Sequence, residues 1–290
     1  MDSECVAVII LNYNSSADTL KLVASIRKYE KNYGLIIVDN NSSLEEKEIL
    51  KSEDLDAEMI FLDANLGYAA GNNVGLRRAV ELEYQYYLIA NSDTEIIHPD
   101  TIGTLLSAMK KLNADAAGPG MLNAAGKLDS GQIVDGRMGR TRRIFADQPV
   151  KSRSLTGAFL LLSRRMLLKN GYMPEEYFLY REETDYLVRA NGNGLSVYYI
   201  PSVEIIHRHG LTTGKVWDYY FNRNTIYFAR KIWKTSLPEL ALYHFLKTIY
   251  NMIRVLLGME ERRDKRLAVR LMWQGYADGL RGRMGKKENL

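Results

Sequence analysis

The sequence predicts an α/β fold in which helices flank a mostly parallel sheet, with a helical extension at the C-terminus. Two observations support this: short apolar runs alternate with amphipathic helical patterns in the first half, and the last quarter is helical and aromatic. Strands that alternate with helices form parallel sheets covered on both faces. We expect the sheet domain in 1–214 and a helical, basic region in 215–290.

The predicted strands are continuous apolar runs, which is typical of strands buried on both faces. The first four are expected at 6–11, 35–38, 59–62 and 86–90. A later strand is expected at 155–163, and two more, at 197–200 and 203–206, flank Pro201. The alternation with helices implies that the early strands lie parallel in one sheet.

The charge is distributed unevenly along the 290 residues. The net charge is +4, but from position 254 to 290 ten Lys and Arg residues face five Asp and Glu, a net of +5, so the rest is near −1. The basic excess therefore lies in the tail and not around the predicted strand ends. This argues against nucleic acid as the main substrate and fits an anionic membrane surface.

The single cysteine, Cys5, cannot form an internal disulfide, which fits a reducing compartment. It begins an apolar strand, so we expect it to be buried rather than to act as a catalytic thiol. The first residues lack the order of a signal peptide, and no run of about 18 uncharged apolar residues occurs. We expect a cytoplasmic protein, peripheral on the cytoplasmic face of the membrane.

Polar, turn-forming clusters end three of the predicted strands, at 12–14, 39–42 and 91–93. Ligands of open parallel sheets bind beyond the carboxyl ends of the strands. Asn, Asp and Ser are also good turn formers, but three such clusters favour one shared site. Asp93 follows a buried strand among small polar residues, a typical place for Mg²⁺ or Mn²⁺.

Small residues from Asn65 to Gly75 lead from the third strand into a helix. They would let a ligand or another backbone approach closely, and a helix start favours anions. The spacing matches neither the dinucleotide fingerprint nor a P-loop. A close helix-on-sheet contact is the alternative explanation for some of these glycines.

Glu182, Glu183 and Asp185 form an acidic cluster at a predicted helix start. Acids there complement the helix dipole, which alone could explain them. Alternatively one is a general base, because crowding and burial among the aromatic residues of 177–180 would raise its pKa. His207 ends a strand, and a neutral imidazole can bind Mn²⁺.

Two further stretches leave alternatives open. The Gly-rich stretch 117–153, with the basic run 137–143, is either a mobile flap over an anionic ligand or a solvated loop. The helix predicted over 240–257 has one narrow polar stripe: His244, Lys247, Asn251 and Arg254. Such a helix is buried in the protein, packs against a second subunit in a homodimer, or lies in a membrane interface.

Taken in order, these segments resemble the family-2 inverting glycosyltransferases of the GT-A fold, with its Rossmann-like sheet. They look most like bacterial rhamnosyltransferase-like members that build cell-surface polysaccharides. The resemblance covers most of the chain and rests on 12–14, 38–42, 65–75, 91–93, 155–157, 178–185, 207, 223–224 and 275–285.

The resemblance implies a nucleoside-diphosphate sugar as donor. The implied donor-binding residues are Asn12, Tyr13, Asn14, Asp39, Asn41, Asn65, Gly67, Tyr68, Gly71, Asn72, Asn91 and Ser92. It also places Thr156 and Gly157 near the acceptor, a glycan or a lipid-linked saccharide.

The resemblance further implies that Asp93 and His207 hold Mg²⁺ or Mn²⁺ and that Glu183 is the base, with Glu182 and Asp185 as rivals. Two positions depart from the family pattern. Asn91 stands where the first acid of a metal-binding Asp-x-Asp is usual, which lowers the protein's charge at the metal. Glu183 replaces an Asp, and its longer side chain should still reach the acceptor.

The implied reaction is transfer of a sugar from dTDP-L-rhamnose, or next from a UDP-sugar, with inversion. One alternative is a sugar-phosphate nucleotidyltransferase, but that enzyme would normally carry a Gly-rich basic loop after the first strand, where this chain has residues 12–16. Another alternative is a non-catalytic nucleotide-sugar-binding subunit, against which the acid cluster and His207 argue.

Overall fold

The computed structural model describes residues 5–129, 132–135, 140–143, 145–208, 214–259, 264–288 and 290. Its strands are β1 (Val6–Asn12), β2 (Tyr33–Asp39), β3 (Glu58–Phe61), β4 (Tyr86–Asn91), β5 (Thr94–Ile96), β6 (Ala116–Leu122), β7 (Gln132–Asp135), β8 (Arg140–Arg143), β9 (Val150–Lys151), β10 (Phe159–Ser163) and β11 (Val197–His207). Its helices are α1 (Ser16–Tyr29), α2 (Leu44–Ser52), α3 (Tyr68–Glu81), α4 (Thr101–Lys111), α5 (Arg164–Asn170), α6 (Glu182–Gly192), α7 (Lys215–Trp233), α8 (Leu237–Leu256) and α9 (Lys265–Arg281), with a short 3₁₀ helix at Glu175–Tyr177.

The main sheet has the order β3-β2-β1-β4-β10-β6-β11-β5, and β9 pairs with β11. Strands β3, β2, β1 and β4 are parallel, whereas β10 is antiparallel to both of its neighbours. Asn12 is therefore in register with Asp39, and Leu11 with Asn91. The predicted α/β class is confirmed, and three strand ends with polar clusters meet at one edge.

Strand β1 shows why these strands read as continuous apolar runs. Its Val8 and Ile10 pack in one core with α1 and α4, whereas Ala7 and Ile9 pack in the other with α3. Successive side chains point to opposite faces of a sheet. Because helices cover both faces, the positions from Val6 to Leu11 are all apolar, and the polar Asn12 ends the strand.

Three expectations need correction. The stretch 155–163 is a strand only from Phe159 onward. The two strands expected around Pro201 are one strand, β11, whose pairing with β6 shifts register between Ile200 and Glu204. Proline has no N–H to donate, so a break in the ladder accommodates it. Cys5 is half-buried rather than buried.

The C-terminal helices pack closely on one another. A Cβ on Gly279 of α9 would lie 2.7 Å from the Arg223 carbonyl oxygen of α7, so glycine permits this close approach. Helices α8 and α9 form an antiparallel hairpin, in which the Tyr276 hydroxyl donates to the Ala241 carbonyl at 3.1 Å. None of the helices in the described ranges has the length and apolar character needed to cross a bilayer.

The stretch considered as a flap is described in part. The backbones of β7 and β8 pair as an antiparallel hairpin. Residues 130–131, 136–139 and 144, which include part of the basic run, lie outside the described residues.

Candidate active site

The loops after β1 and β2 are joined by a buried hydrogen-bond network. The Asn12 amide donates to Asp39 Oδ2 at 2.8 Å and to Ser42 Oγ at 3.1 Å. The hydroxyls of Ser15 and Thr19 donate to Asn12 Oδ1 at 3.1 and 2.8 Å. Asn12 and Asp39 are fully buried. Asn12 and Asp39, two of the residues predicted to bind the sugar donor, therefore fix the conformation of these loops from the protein interior.

Tyr13, Asn14 and Asn41 lie on the open side of the same loops. Tyr13 is 49% exposed, although it is a large aromatic side chain. Asn14 and Asn41 adopt left-handed backbone conformations, with φ of 50° and 65°, which Asn tolerates better than most residues. Tyr13 thus presents an aromatic face at the strand ends, where a nucleotide base could stack.

Asn40, which the sequence reasoning did not single out, holds the Asn65–Asn72 segment in place. Its Oδ1 accepts from the Leu66 amide at 2.9 Å, and its Nδ2 donates to Asn65 Oδ1 at 3.1 Å and to the Gly67 carbonyl at 3.2 Å. The only sequence feature that could have indicated this role is the position of Asn40 within the polar 39–42 cluster. The loops after β2 and β3 are thereby linked.

The glycines of this segment have different roles. Gly67 has φ of 86° and packs against the Phe178 carbonyl, so it joins the segment to the loop before α6. Gly71 and Gly75 face Leu11 and Ile9 of β1. The helix-on-sheet explanation therefore accounts for Gly71 and Gly75.

Asn72 is fully buried beneath the start of α3. Its Nδ2 donates to the Tyr68 carbonyl at 3.0 Å, while its Oδ1 has no hydrogen-bond partner in the described part of the chain. Asn72 thus fixes the first turn of the helix that carries Tyr68.

The predicted metal pair is brought together by the edge of the sheet. Strand β5 pairs with β11 so that His207 lies opposite Thr94. His207 Nε2 consequently lies 3.4 Å from Asp93 Oδ1, with the two side chains 12% and 18% exposed. Beside them, Ser92 Oγ lies 3.1 Å from Ser15 Oγ, and the Asn91 amide donates to Ala158.

The pair fits a divalent cation that is shared with phosphate. Within the residues described, no group of three or more His, Cys, Asp or Glu could hold a metal. Mg²⁺ is commonly held by one or two carboxylates together with phosphate oxygens and water. Asp93 and His207 supply one oxygen and one nitrogen donor, so the remaining ligands would come from a bound diphosphate.

Asp185 is fully buried and has three charged or polar partners. It accepts hydrogen bonds from the Tyr177 hydroxyl at 2.8 Å, from Arg189 Nε at 2.7 Å and from Lys231 Nζ at 2.9 Å. These contacts tie α6 to the 3₁₀ helix and to α7. Asp185 is therefore placed as a structural link between elements.

Glu182 and Glu183 differ in exposure. Glu182 is 2% exposed, and its Oε2 has no hydrogen-bond partner in the part of the chain that is described. Burial, and then the charge of Glu183, hold the pKa of Glu182 well above its usual range. Glu183 is only partly buried and accepts from the Thr184 hydroxyl at 2.9 Å. Burial also raises the pKa of Glu183, which makes its carboxylate a stronger base.

Tyr68 connects the predicted donor, acceptor and catalytic residues. Its hydroxyl donates to the Gly157 carbonyl at 2.8 Å. A Cβ on Gly157 would lie 3.1 Å from that hydroxyl and 3.2 Å from Glu183 Cβ, so a side chain there would crowd both. Burial, followed by the charges of Glu182, Glu183 and Asp93, raises the pKa of Tyr68 well above its usual value.

Thr156 is the other residue assigned to the acceptor. It is half-exposed and lies directly before Gly157. The structure thus brings Thr156 and Gly157 to the same place as Glu183.

In the loop before α6, residues 178–181, three of the four residues have a positive backbone φ. Phe178, Tyr180 and Arg181 have φ of 66°, 70° and 79°. Such conformations cost about 1 kcal/mol or more each and persist where the surroundings fix them. This loop leads directly into Glu182 and Glu183, so its conformation positions both acids.

Two side chains of α7 hold this loop. Asn224 Nδ2 lies 3.1, 2.7 and 2.8 Å from the carbonyl oxygens of Tyr177, Leu179 and Tyr180. Arg223 is 1% exposed and donates to the Tyr177 carbonyl at 2.7 Å. In the sequence, residues 223–224 are marked only by the family resemblance, which implies no role for them.

The sequence of this chain is similar to those of known glycosyltransferases. The sequence profile described as Glycosyl transferase family 2 matches residues 7–171. The chain is 25% identical to the low-salt glycan biosynthesis hexosyltransferase Agl10 of Haloferax volcanii, over 98% of this chain and 94% of that protein. It is 24% identical to the dTDP-rhamnosyl transferase RfbF of Shigella flexneri, over 98% of each.

Two solved structures share the fold. S. aureus TarS 1-349 in complex with UDP matches with a TM-score of 0.57 and 18% identity, over 78% of this chain and 64% of that chain. The mannosyltransferase PcManGT from Pyrobaculum calidifontis, in complex with GDP-Man and Mn²⁺, matches with 0.56 and 11%, over 96% and 86%. The predicted GT-A fold is confirmed. With more than half of its length matched by the family profile, the chain belongs to glycosyl transferase family 2.

Proposed function

We propose that this glycosyltransferase is metal-dependent and inverting, and that it moves a sugar from a nucleoside-diphosphate sugar to a hydroxyl of a glycan or lipid-linked saccharide. The observation that carries the proposal is the position of Tyr68. Its hydroxyl donates to the carbonyl of Gly157, which packs against Glu183, and the charge of Asp93 reaches the same hydroxyl. This arrangement supports a single site in which Glu183 is the base, Gly157 lies at the acceptor and Asp93 lies on the phosphate side.

In the proposed reaction Glu183 takes the proton from the acceptor hydroxyl, and the oxygen attacks the anomeric carbon. The bond to the nucleoside diphosphate breaks on the opposite face, so a single displacement inverts the configuration. Burial and the charge of Glu183 raise the pKa of Glu182, because a second buried charge there would be unfavourable. The carboxylate of Glu183 is therefore the one that accepts the proton.

Asp93 and His207 would hold Mg²⁺ or Mn²⁺ together with diphosphate oxygens. When bound, the ion stabilises the negative charge that develops on the leaving diphosphate. Tyr13, Asn14, Asn41 and the edge built on Asn12 and Asp39 would receive the base and ribose.

The first candidate donor is dTDP-L-rhamnose, which the likeness to RfbF supports. UDP-sugars come second, since TarS has been solved with UDP-GlcNAc. The product would be a cell-surface polysaccharide or its lipid-linked precursor, assembled at the cytoplasmic face of the membrane.

We also propose that residues 1–214 carry the catalytic sheet and 215–290 a basic helical region.

A thermal-shift panel of nucleoside-diphosphate sugars, each with and without Mn²⁺, tests the proposal. A ligand that binds the folded form raises the Tm by mass action, by roughly 5 °C at about 100 times its Kd. We expect the matching donor with Mn²⁺ to give the largest shift and Mn²⁺ alone to give little. If no donor shifts the Tm, the proposed function is wrong; if Mn²⁺ alone gives the full shift, the shared-cation arrangement is wrong.

A further inference from the structure

The outward side of α8 is apolar. Six large side chains there are between 37% and 63% exposed: Leu242, Phe245, Leu246, Tyr250, Ile253 and Leu256. At 3.6 residues per turn they cover about 140° of the helix circumference, and no charged residue falls within that arc from 242 to 256. A contiguous exposed apolar surface of this kind marks an interaction site. We call these six residues the outer face of α8.

Between 242 and 256 the charged, His and Asn side chains of α8 lie on the other side of the helix, whereas Glu239 in its first turn is exposed on the same side as the outer face. His244 is 4% exposed, and Lys247, Asn251 and Arg254 are partly buried on the same side of the helix. A helix on a water-exposed surface normally has the opposite arrangement, with its apolar side inward. The orientation of α8 therefore indicates that its outer face meets a medium less polar than water.

Helix α9 borders this face with aromatic and basic residues. The Phe245 ring lies 5.5 Å from the Trp273 ring and 6.2 Å from the Tyr276 ring, centroid to centroid. Arg270 and Arg266 are exposed, one and two turns before Trp273 on the same side of α9. Apolar side chains beside Trp, Tyr and Arg are the composition of helices that lie in a membrane interface.

We propose that the outer face of α8, with Trp273, Arg266 and Arg270 of α9 beside it, docks into the interface of a bilayer that contains anionic phospholipid. Charge decides between this occupant and a second copy of the chain. In a symmetric dimer the two copies of segment 254–290, each with a net charge of +5, would repel each other, whereas anionic headgroups would attract this charge.

Docking in this way would bring the start of α6, which carries Glu182 and Glu183, towards the membrane. Burial, and then the charges of Lys247 and Arg181, lower the pKa of His244 to about 3, so Arg181, at the start of α6, is within electrostatic reach of the inner side of α8. This geometry suits a lipid-linked acceptor; it extends the proposed location of the reaction and does not depend on the proposed chemistry.

Vesicle flotation of the full chain tests the inference. We expect binding to phosphatidylcholine vesicles that contain phosphatidylglycerol, and weaker binding to phosphatidylcholine alone or at high salt. L246E/I253E should lower the partition coefficient at least about tenfold, because it places two charges in the apolar surface. R266Q/R270Q should lower it by about tenfold or more on anionic vesicles only.

Leu168→Glu is the matched control, since Leu168 is 77% exposed on α5, outside the C-terminal helices. It should bind vesicles like wild type. Circular dichroism and donor-induced thermal shift should be unchanged in all three variants, which separates this inference from the proposed function. Equal vesicle binding by L246E/I253E and wild type overturns the inference. A second outcome also overturns it: wild type does not bind vesicles but sediments as a dimer, and L246E/I253E sediments as a monomer.

Discussion

Glu182, Glu183 and Asp185 lie within one turn of α6 but have different surroundings. Asp185 is engaged by Arg189 and Lys231, and Glu182 is sealed from solvent. Of the three acids, Glu183 is the one that is only partly buried. Environment rather than residue type therefore separates the proposed base, Glu183, from its neighbours. The sequence predicted the cluster but not this separation, because the partner Lys231 is 46 residues away from Asp185.

Asp93 provides a prediction at the residue scale. Asp93→Ala removes the carboxylate next to His207, so transfer should fall about 100-fold or more, and the Mn²⁺ concentration for half-maximal rate should rise. A Mn²⁺ titration of the initial rate measures both quantities. Asp63→Ala, an exposed Asp after β3, is the control and should match wild type. An unchanged Mn²⁺ dependence in Asp93→Ala would contradict the metal assignment.

Sequence patterns predicted the elements of the sheet better than the loop that positions the acids. Continuous apolar runs and polar ends were sufficient for β1, β2 and β4, because local composition determines them. The left-handed loop at 178–181 depends on contacts from Asn224, more than 40 residues later, and no local pattern encodes it. The register shift in β11 likewise depends on its partner β6.

Asn224 provides a prediction at the element scale. Asn224→Ala leaves the carbonyls of Tyr177, Leu179 and Tyr180 without their shared donor, which should cost about 1–3 kcal/mol of stability. Because the loop positions Glu183, kcat should fall more than the KM for the donor changes, and the pKa on the acid limb of the kcat profile should shift.

Asn222→Ala is the matched control, since Asn222 lies in the same helix and donates to the Asp218 carbonyl at 2.7 Å. It should leave the pH profile of kcat unchanged. If Asn224→Ala lowers stability but keeps wild-type kcat and pH profile, Asn224 has no positioning role.

At the scale of the whole molecule, the C-terminal helices belong to the architecture of the site. Arg223 of α7 donates to the carbonyl of Tyr177, directly before the 178–181 loop, and, at 2.7 Å, to the carbonyl of Gly285. A boundary at residue 214 stays a prediction. These contacts indicate that the helices hold the acids in place and also, through α8, present an apolar face on the outside.

The central claim is that Glu183 is the base, and the turnover number of Glu183→Gln beside that of Glu182→Gln tests it most directly. Glutamine mimics a protonated Glu, so Glu182→Gln should keep most of its activity. Glu183→Gln should lose about 10²- to 10⁴-fold in kcat with an unchanged donor-induced thermal shift. Wild-type kcat should fall as the pH drops below the raised pKa of Glu183, since the base must be deprotonated. Near-wild-type turnover by Glu183→Gln would contradict the account. So would a loss of turnover in Glu182→Gln that Glu183→Gln does not show.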